Sequence, residues 1–527
     1  MSYSPSAAAG IMPEKDTLSL LALKVAPNVF DLSSGQQHVS IRDQIIRAQM
    51  LVRDLCEADP RHLQILVVGA GIAGVTAALE ASAQGQTVVV ADTEKEAFSL
   101  QRGAPQRFVG PFMYEWPSSF FDDQSYPPRN SSDWGPASPI TPAWSSKKPL
   151  SGTALAAQLV SWLDGVKGNP ALVSALYPLW KAPQWWMEAT AASVAAAVKR
   201  FAAQTGAATQ RRIDGVGGGH VEPCEIHLRR AGSIDTRHFM PDYILLGAGL
   251  GEENVALPQL LIAAPGSKPV EGPRFWGADN LLDAGTPDRN IGIFGGGDGA
   301  LQDALRALTG LGHPLEMIWK MEKDAEVSRL LLKARERLLA MEQQSRLIAT
   351  WTAGQGAYAG LDRACRALAV SLCRKPAMRR ALLACLRKGS GVVSQFVRES
   401  HFGKTYLLNR FLMHLLIACR ARAGRAEWRG RMDYECHFGA EAAHSLAPLS
   451  GYRFRTDLKP LAALYENATC GADIPSAGRS YDFHEVAVRF GITRGTTPGS
   501  QMVTLSGKGL TTRTSLARIP VPFVLPR

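Results

Sequence analysis

Residues 64–92 read QILVVGAGIAGVTAALEASAQGQTVVVAD. The apolar run 65–68 is short and rich in β-branched residues, as suits a parallel strand buried on both faces. It meets Gly69-Ala70-Gly71-Ile72-Ala73-Gly74, a G-x-G-x-x-G that opens an alanine-rich helix. Gly69 permits the tight turn, Gly71 lets the backbone approach a pyrophosphate, and Gly74 lets helix and strand pack closely. The helix start, through Ile72 and Ala73, offers free N–H groups and a positive dipole end to phosphate oxygens. A second apolar run, 86–91, ends at Asp92, whose carboxylate suits ribose hydroxyls. Strand, glycine turn, helix, strand and acid stand in the order that a dinucleotide-binding unit needs. FAD and NAD both satisfy this motif.

The pattern Gly69-x-Gly71-x-x-Gly74-x-x-x-Ala78, then Gly85-x-x-Val88-x-Val90-x-Asp92, is similar to the N-terminal FAD-binding motif of flavoproteins with two dinucleotide-binding domains. That family includes amine and amino-acid oxidases, flavin monooxygenases and pyridine-nucleotide-dependent reductases. Asp92 stands where the family usually has Glu. A second stretch, PDYILLGAGLG at 241–251, resembles the family's strand that returns beneath the flavin nucleotide, ending here in Gly247-Ala248-Gly249. This second match, with Gly247 and Gly249 as cofactor-binding candidates, moves FAD ahead of NAD.

A third stretch, NIGIFGGGDGALQDALRAL at 290–308, repeats the strand–turn–helix pattern. Its Gly295-Gly296-Gly297-Asp298-Gly299-Ala300 resembles the NAD(P)H-binding motif of reductase-like members of the same family. Residues 315–319 are expected to form the following strand, with Lys320 near a 2′-phosphate. The competing reading makes Gly297-Asp298 the strand end whose acid binds the flavin ribityl chain. The resemblance implies an α/β fold: a Rossmann-like FAD-binding domain, a second NAD(P)-binding-like unit and a helical insertion. It also implies FAD as cofactor, with NAD(P)H as a possible electron source.

The chain has 527 residues, enough for two or three domains, and is 46% hydrophobic and 20% charged, ordinary for a globular protein. No apolar run reaches membrane-spanning length, and no secretion signal is recognisable, so a cytoplasmic location is expected. Eight cysteines lack any C-x-x-C pair or metal-ligand spacing. No metal centre is expected, and a dithiol reductase, which needs two adjacent sulfurs, is disfavoured.

The expected organisation is an arm and helix over 1–62 and an FAD-binding unit over 63–250 with an aromatic, proline-rich insertion at 93–150. A second nucleotide unit follows over 251–322, then a basic helical segment over 323–434 and a mixed β segment over 435–527. The first 40 residues read as poorly ordered. Helices are expected over 41–57, 151–163 and 185–204, and a hairpin over 225–239. Tyr114 and Trp116, in the aromatic insertion, are candidates for a substrate pocket wall. From Lys320 to Tyr434 there are 23 Lys and Arg against 9 Asp and Glu. That excess reads either as a solvated helical face or as a surface for an acidic partner, nucleic acid included.

No catalytic acid or base emerges. The leading expectation is an FAD-dependent oxidoreductase drawing electrons from NAD(P)H and acting on a small molecule or oxygen, of monooxygenase or oxidase type. The alternatives are a non-catalytic nucleotide-binding sensor or scaffold, and a flavoprotein docked on nucleic acid through 320–434.

Overall fold

A computed structural model of the chain describes residues 20, 23–32, 40–110, 116–117, 139–142, 149–213, 223–249, 251–257, 270–351, 355–403, 405–445, 463–467, 480–481 and 483–493. Its first half builds one sheet. In chain order come β1 (Lys24–Ala26), β2 (Val29–Asp31), α1 (Ile41–Ala58), β3 (Gln64–Val68), α2 (Ile72–Ala83) and β4 (Thr87–Ala91). Then follow α3 (Gly152–Gly168), β5 (Gln184–Trp186), α4 (Ala191–Ile213), β6 (Ile226–Arg229), β7 (Thr236–Phe239) and β8 (Tyr243–Leu246). The sheet order is β1-β2-β8-β3-β4-β5, with every neighbour pair parallel except β1 and β2.

The unbroken apolar runs have a simple cause. Successive side chains point to opposite faces, and both faces are covered. Ile65, Val67, Val88 and Val90 pack with α1, α2 and α3, whereas Leu66, Val68 and Val89 pack with α4 and the β6–β7 hairpin.

Two expectations for this half need correction. Within the arm expected to be poorly ordered, residues 24–31 form β1 and β2, because Val25, Val29 and Phe30 are buried against the sheet. The helix expected over 185–204 begins only at Ala191, since Trp185 and Trp186 extend the sheet beside Val90 and Ala91.

The second half builds a four-stranded parallel sheet from β9 (Ile291–Phe294), β10 (Val392–Val397), β11 (Asp433–Phe438) and β12 (Glu485–Val488), in the order β11-β10-β9-β12. These strands come from all three of the segments expected beyond residue 250. Between β9 and β10 run α5 (Asp298–Thr309), α6 (Pro314–Glu322), α7 (Ala325–Trp351), α8 (Gln355–Cys373) and α9 (Pro376–Cys385), and α10 (Leu407–Trp428) follows β10. Ile291, Ile293 and Val393 face this helical layer, while Phe294, Phe396, Phe483 and Val486 form a smaller aromatic core on the other face. Three short antiparallel strands, Ala440–Ser445, Ala463–Asn467 and Ser480–Tyr481, make a separate sheet. No described helix is long and apolar enough to cross a membrane.

The strand expected over 315–319 is a helix, α6. His313 caps it, Pro314 occupies its first turn, and Glu316 reaches back to the Gly312 and His313 N–H groups at 2.9 and 3.3 Å. Lys320 is therefore an exposed helix residue rather than a strand-end cation. The parallel partner of β9 is β10, hidden in a segment read as helical. Its buried Gln395 looks misplaced in a strand until its bonds are counted: its amide donates to Gly295 O at 2.9 Å and accepts from the Tyr434 hydroxyl at 2.8 Å. Several cations of the basic segment are engaged internally. Arg410 binds Asp362 at 2.5 Å and Arg420 binds Asp433 through two bonds.

A buried ionic cluster ties the halves together. Asp303, on α5, accepts from Arg107 and from Arg489 at 2.9 Å and lies 3.1 Å from Arg306, while Asp279 binds Arg306 through both carboxylate oxygens. Burial raises the Asp303 carboxyl, but Arg107, Arg489 and Arg306 outweigh it and hold the group well below the usual carboxylate range. A depressed folded-state pKa gives stability that is present above the unfolded value, about pH 4, and is lost as the pH falls below it. Asp303→Ala, leaving buried guanidinium charge uncompensated, is expected to cost about 3–5 kcal/mol. Denaturant melts between pH 7 and pH 3 check both the loss and its pH dependence.

Candidate functional site: a glycine cradle and its duplicate

The turn after β3 opens into a cleft of about 590 Å³. Gly69, Gly71, Ile72, Ala73, Asp92, Gly247 and Gly249 all line it, and Gly74 lies immediately behind. Gly69 adopts φ 103°, and a β-carbon there would strike the Gly247 carbonyl. A β-carbon on Gly74 would strike the Gly69 carbonyl oxygen, and one on Gly247 would come within 2.9 Å of Gly74 N. These three glycines are consumed by backbone packing. Gly71 differs, because a β-carbon there meets nothing within 4 Å and projects into open space.

The N-terminus of α2 has no side-chain cap and no acid in its first turn. Its positive end is thus directed at the cleft with no side chain of its own first turn to neutralise it. Asp92 accepts from the Ala70 N–H with one carboxylate oxygen and from Glu94 N at 2.7 Å with the other, so it pins the glycine turn while lining the cleft.

Among the lining residues that sequence reasoning missed are Gln44, Gln101 and Arg274. The Oε1 atoms of Gln44 and Gln101 are buried and without hydrogen-bond partners. Such orphaned amides fit a polar ligand in the cleft. Arg274 is the one Lys or Arg among the described lining residues. Gln44 comes from α1 and Arg274 from the segment linking the two sheets, and no local motif announces either.

The second glycine turn reproduces the first. The two sheets carry the same four parallel strands in matching order and register: Leu246, Val68, Ala91 and Trp186 stand side by side in one, Val488, Phe294, Phe396 and His437 in the other. Gly69 N bonds Ala91 O at 2.8 Å, and Gly295 N bonds Phe396 O at 2.9 Å. Phe98 N bonds Ala70 O at 3.0 Å, and Gly403 N bonds Gly296 O at 3.2 Å. Gly295 has φ 135°, and a β-carbon on it would lie 2.5 Å from Arg489 O, as one on Gly69 would meet Gly247 O. Gly297, like Gly71, has open space where a β-carbon would lie.

The differences are equally specific. Asp298 replaces Ile72 at the helix start and accepts from Tyr406 N at 2.8 Å and Asn409 Nδ2 at 2.7 Å, capping α10. Val397 takes the place of Asp92, and Arg489 that of Gly247. Gly299 lies against the Arg489 and Phe275 side chains, where a β-carbon would come within 3.2 Å of each, and Ala300 is fully buried. None of Gly295, Gly297, Asp298, Gly299 and Ala300 lines the first cleft. Nor does Trp116, which stacks on Phe411 at 5.7 Å inside the core of the second half. Tyr114 lies outside the described residues.

Residues 64–101 match a family model for an FAD binding domain. FAD is the cofactor that this segment is matched to bind. No curated protein sequence matches it. Among solved structures, the chain is similar to thioredoxin reductase of T. acidophilum, at 9% identity over 83% of this chain and 79% of that one, with a TM-score of 0.30. It is also similar to the bacillithiol disulfide reductase of Staphylococcus aureus, at 9% identity, 81% and 76% coverage and a TM-score of 0.33. A third similar structure is the ornithine N-hydroxylase of Kutzneria sp. 744, at 10% identity, 84% and 83% coverage and a TM-score of 0.29.

Proposed function

We propose that the protein takes hydride from NADPH and delivers the electrons to a small organic substrate or to dioxygen, as a monooxygenase or oxidase rather than a dithiol reductase. Its two nucleotide-binding units would be the two parallel sheets, with α6–α9 inserted into the crossover of the second. The observation that carries this reading is the duplicated cradle: Gly297 keeps the same open approach as Gly71, on a second helix start in a second parallel sheet. FAD supplies the redox chemistry, and the chain binds, orients and shields it.

The alternative of a ribityl contact at Gly297-Asp298 is disfavoured, because the Asp298 carboxylate is committed to the start of α10 and does not line the FAD cleft. Gly297→Val is expected to leave FAD content unchanged and to slow anaerobic flavin bleaching by NADPH at least a hundredfold, about 2.7 kcal/mol. Loss of FAD from that variant would instead assign the turn to the flavin.

NADPH is favoured over NADH at the strand end. Val397 offers no carboxylate for the ribose hydroxyls, and the next residue, Arg398, is an exposed cation. An acid at that place suits the 2′-hydroxyl, whereas an arginine suits the 2′-phosphate. The ratio of flavin reduction rates with the two nucleotides is expected to favour NADPH about tenfold or more, and Arg398→Ala to reduce that ratio.

Thiol chemistry is disfavoured by the cysteines. None of the seven described ones lines the FAD cleft, and burial pushes Cys365, Cys373, Cys419 and Cys436 up to about 12. At that value the reactive thiolate is scarce at neutral pH.

A further inference from the structure

The sequence offers no metal-ligand spacing, but the register of one hairpin creates a set of ligands. In β6 and β7, His227 pairs directly with His238 across the antiparallel ladder. Burial alternates along β6, with Ile226 and Leu228 inward and His227 and Arg229 outward. Glu225, two residues before His227, reaches the same exposed face. The three side chains converge: Glu225 Oε1 lies 3.0 Å from His238 Nδ1, and Oε2 lies 3.5 Å from His227 Nε2. The two imidazole rings stand 4.3 Å apart between centroids.

We propose that Glu225, His227 and His238 bind a divalent transition-metal cation, Zn²⁺ or Cu²⁺, at the edge of the FAD-binding unit and outside its cleft. The ligand atoms lie within 4.8 Å of one another. Tetrahedral Zn²⁺ with ligand bonds of about 2.0–2.1 Å needs ligand atoms about 3.4 Å apart, close to the two carboxylate–imidazole separations. Two imidazole nitrogens and one carboxylate oxygen select Zn²⁺, Cu²⁺ or Ni²⁺ over Ca²⁺ or Mg²⁺, which prefer oxygen. Water takes the remaining position, since all three residues are exposed.

The scaffold beneath is rigid enough to hold such a site. Ile226, Leu228 and Phe239 are buried in the core under the first sheet, and Arg229 exchanges backbone bonds with the start of α4: its carbonyl accepts from Thr190 N at 2.7 Å, and its N–H donates to Ser193 Oγ at 3.1 Å. A bound ion would staple β6 to β7, and β7 leads directly into β8, whose end supplies Gly247 beneath the flavin cradle.

The test uses the flavin-loaded full chain, stripped of metals with a chelator and titrated with Zn²⁺ by calorimetry. One saturable equivalent per chain is expected for the parent protein, weakened at least about tenfold in the His227→Ala/His238→Ala double variant. Cu²⁺ electron paramagnetic resonance should report coupling to two imidazole nitrogens in the parent and to one in each single variant. Because both histidines are exposed, flavin content should stay unchanged and certify the fold. Indistinguishable titrations of parent and double variant, or unchanged nitrogen coupling, would overturn the proposal. Neither readout depends on the identity of the electron donor or of the substrate.

Discussion

Gly71→Val is expected to strip FAD from the protein while leaving the fold standing. The β-carbon of the new residue enters open space, so the backbone has no reason to move. Its methyl groups then occupy the approach that the diphosphate needs at the uncapped start of α2. Flavin affinity should fall at least about a hundredfold, equivalent to about 2.7 kcal/mol. The readouts are flavin content after purification and fluorescence titration of the stripped protein, with a melting temperature matching that of the stripped parent. Full flavin retention would mean that the turn does not hold the diphosphate.

Gly74→Ala is expected to fail in the opposite way. A methyl group there lands on the Gly69 carbonyl, and Gly69 is itself hemmed in by Gly247, whose carbonyl oxygen a β-carbon on Gly69 would strike. Overpacking of this kind at a helix–strand junction costs about 3 kcal/mol or more. The variant should melt early or accumulate in insoluble form, with or without added FAD. A normal melting temperature would show that β3, α2 and β8 are not locked together as described. The contrast is informative, since two glycines three residues apart serve binding and packing separately.

The first cradle was legible because its central strand, glycine turn, helix, next strand and acid lie within 29 consecutive residues, 64–92. The strand, turn, helix, strand and acid each have a local signature, and local signatures survive in a sequence. The second cradle was legible only to its helix. Its partner strand begins at Val392, beyond α5 to α9, and the supporting strand at Glu485 is farther still. A capped helix, α6, stands where the next strand was expected, because Pro314 and the His313–Glu316 capping contacts prevail over an apolar run that periodicity cannot classify. Arg489 illustrates the remaining gap. It stands opposite Gly247 in the duplicate, and only the paired registers of the two sheets reveal that correspondence.

Trp116 teaches a related lesson. Its aromatic, proline-rich surroundings suggested a pocket wall, yet the residue is 5% exposed and its ring is stacked on Phe411 among helices that belong to the second half. Apolar character cannot distinguish a ligand wall from a core contact when the partner surface lies far along the chain.

On this reading the uncapped start of α2 holds the diphosphate of FAD. The most direct measurement is the visible absorption spectrum of the purified full chain incubated with excess FAD and freed of unbound ligand, followed by mass identification of what heat releases. The account predicts a yellow protein carrying one FAD per chain, and a colourless Gly71→Val variant under identical treatment. A parent protein that takes up no flavin, or a variant as yellow as the parent, would contradict it.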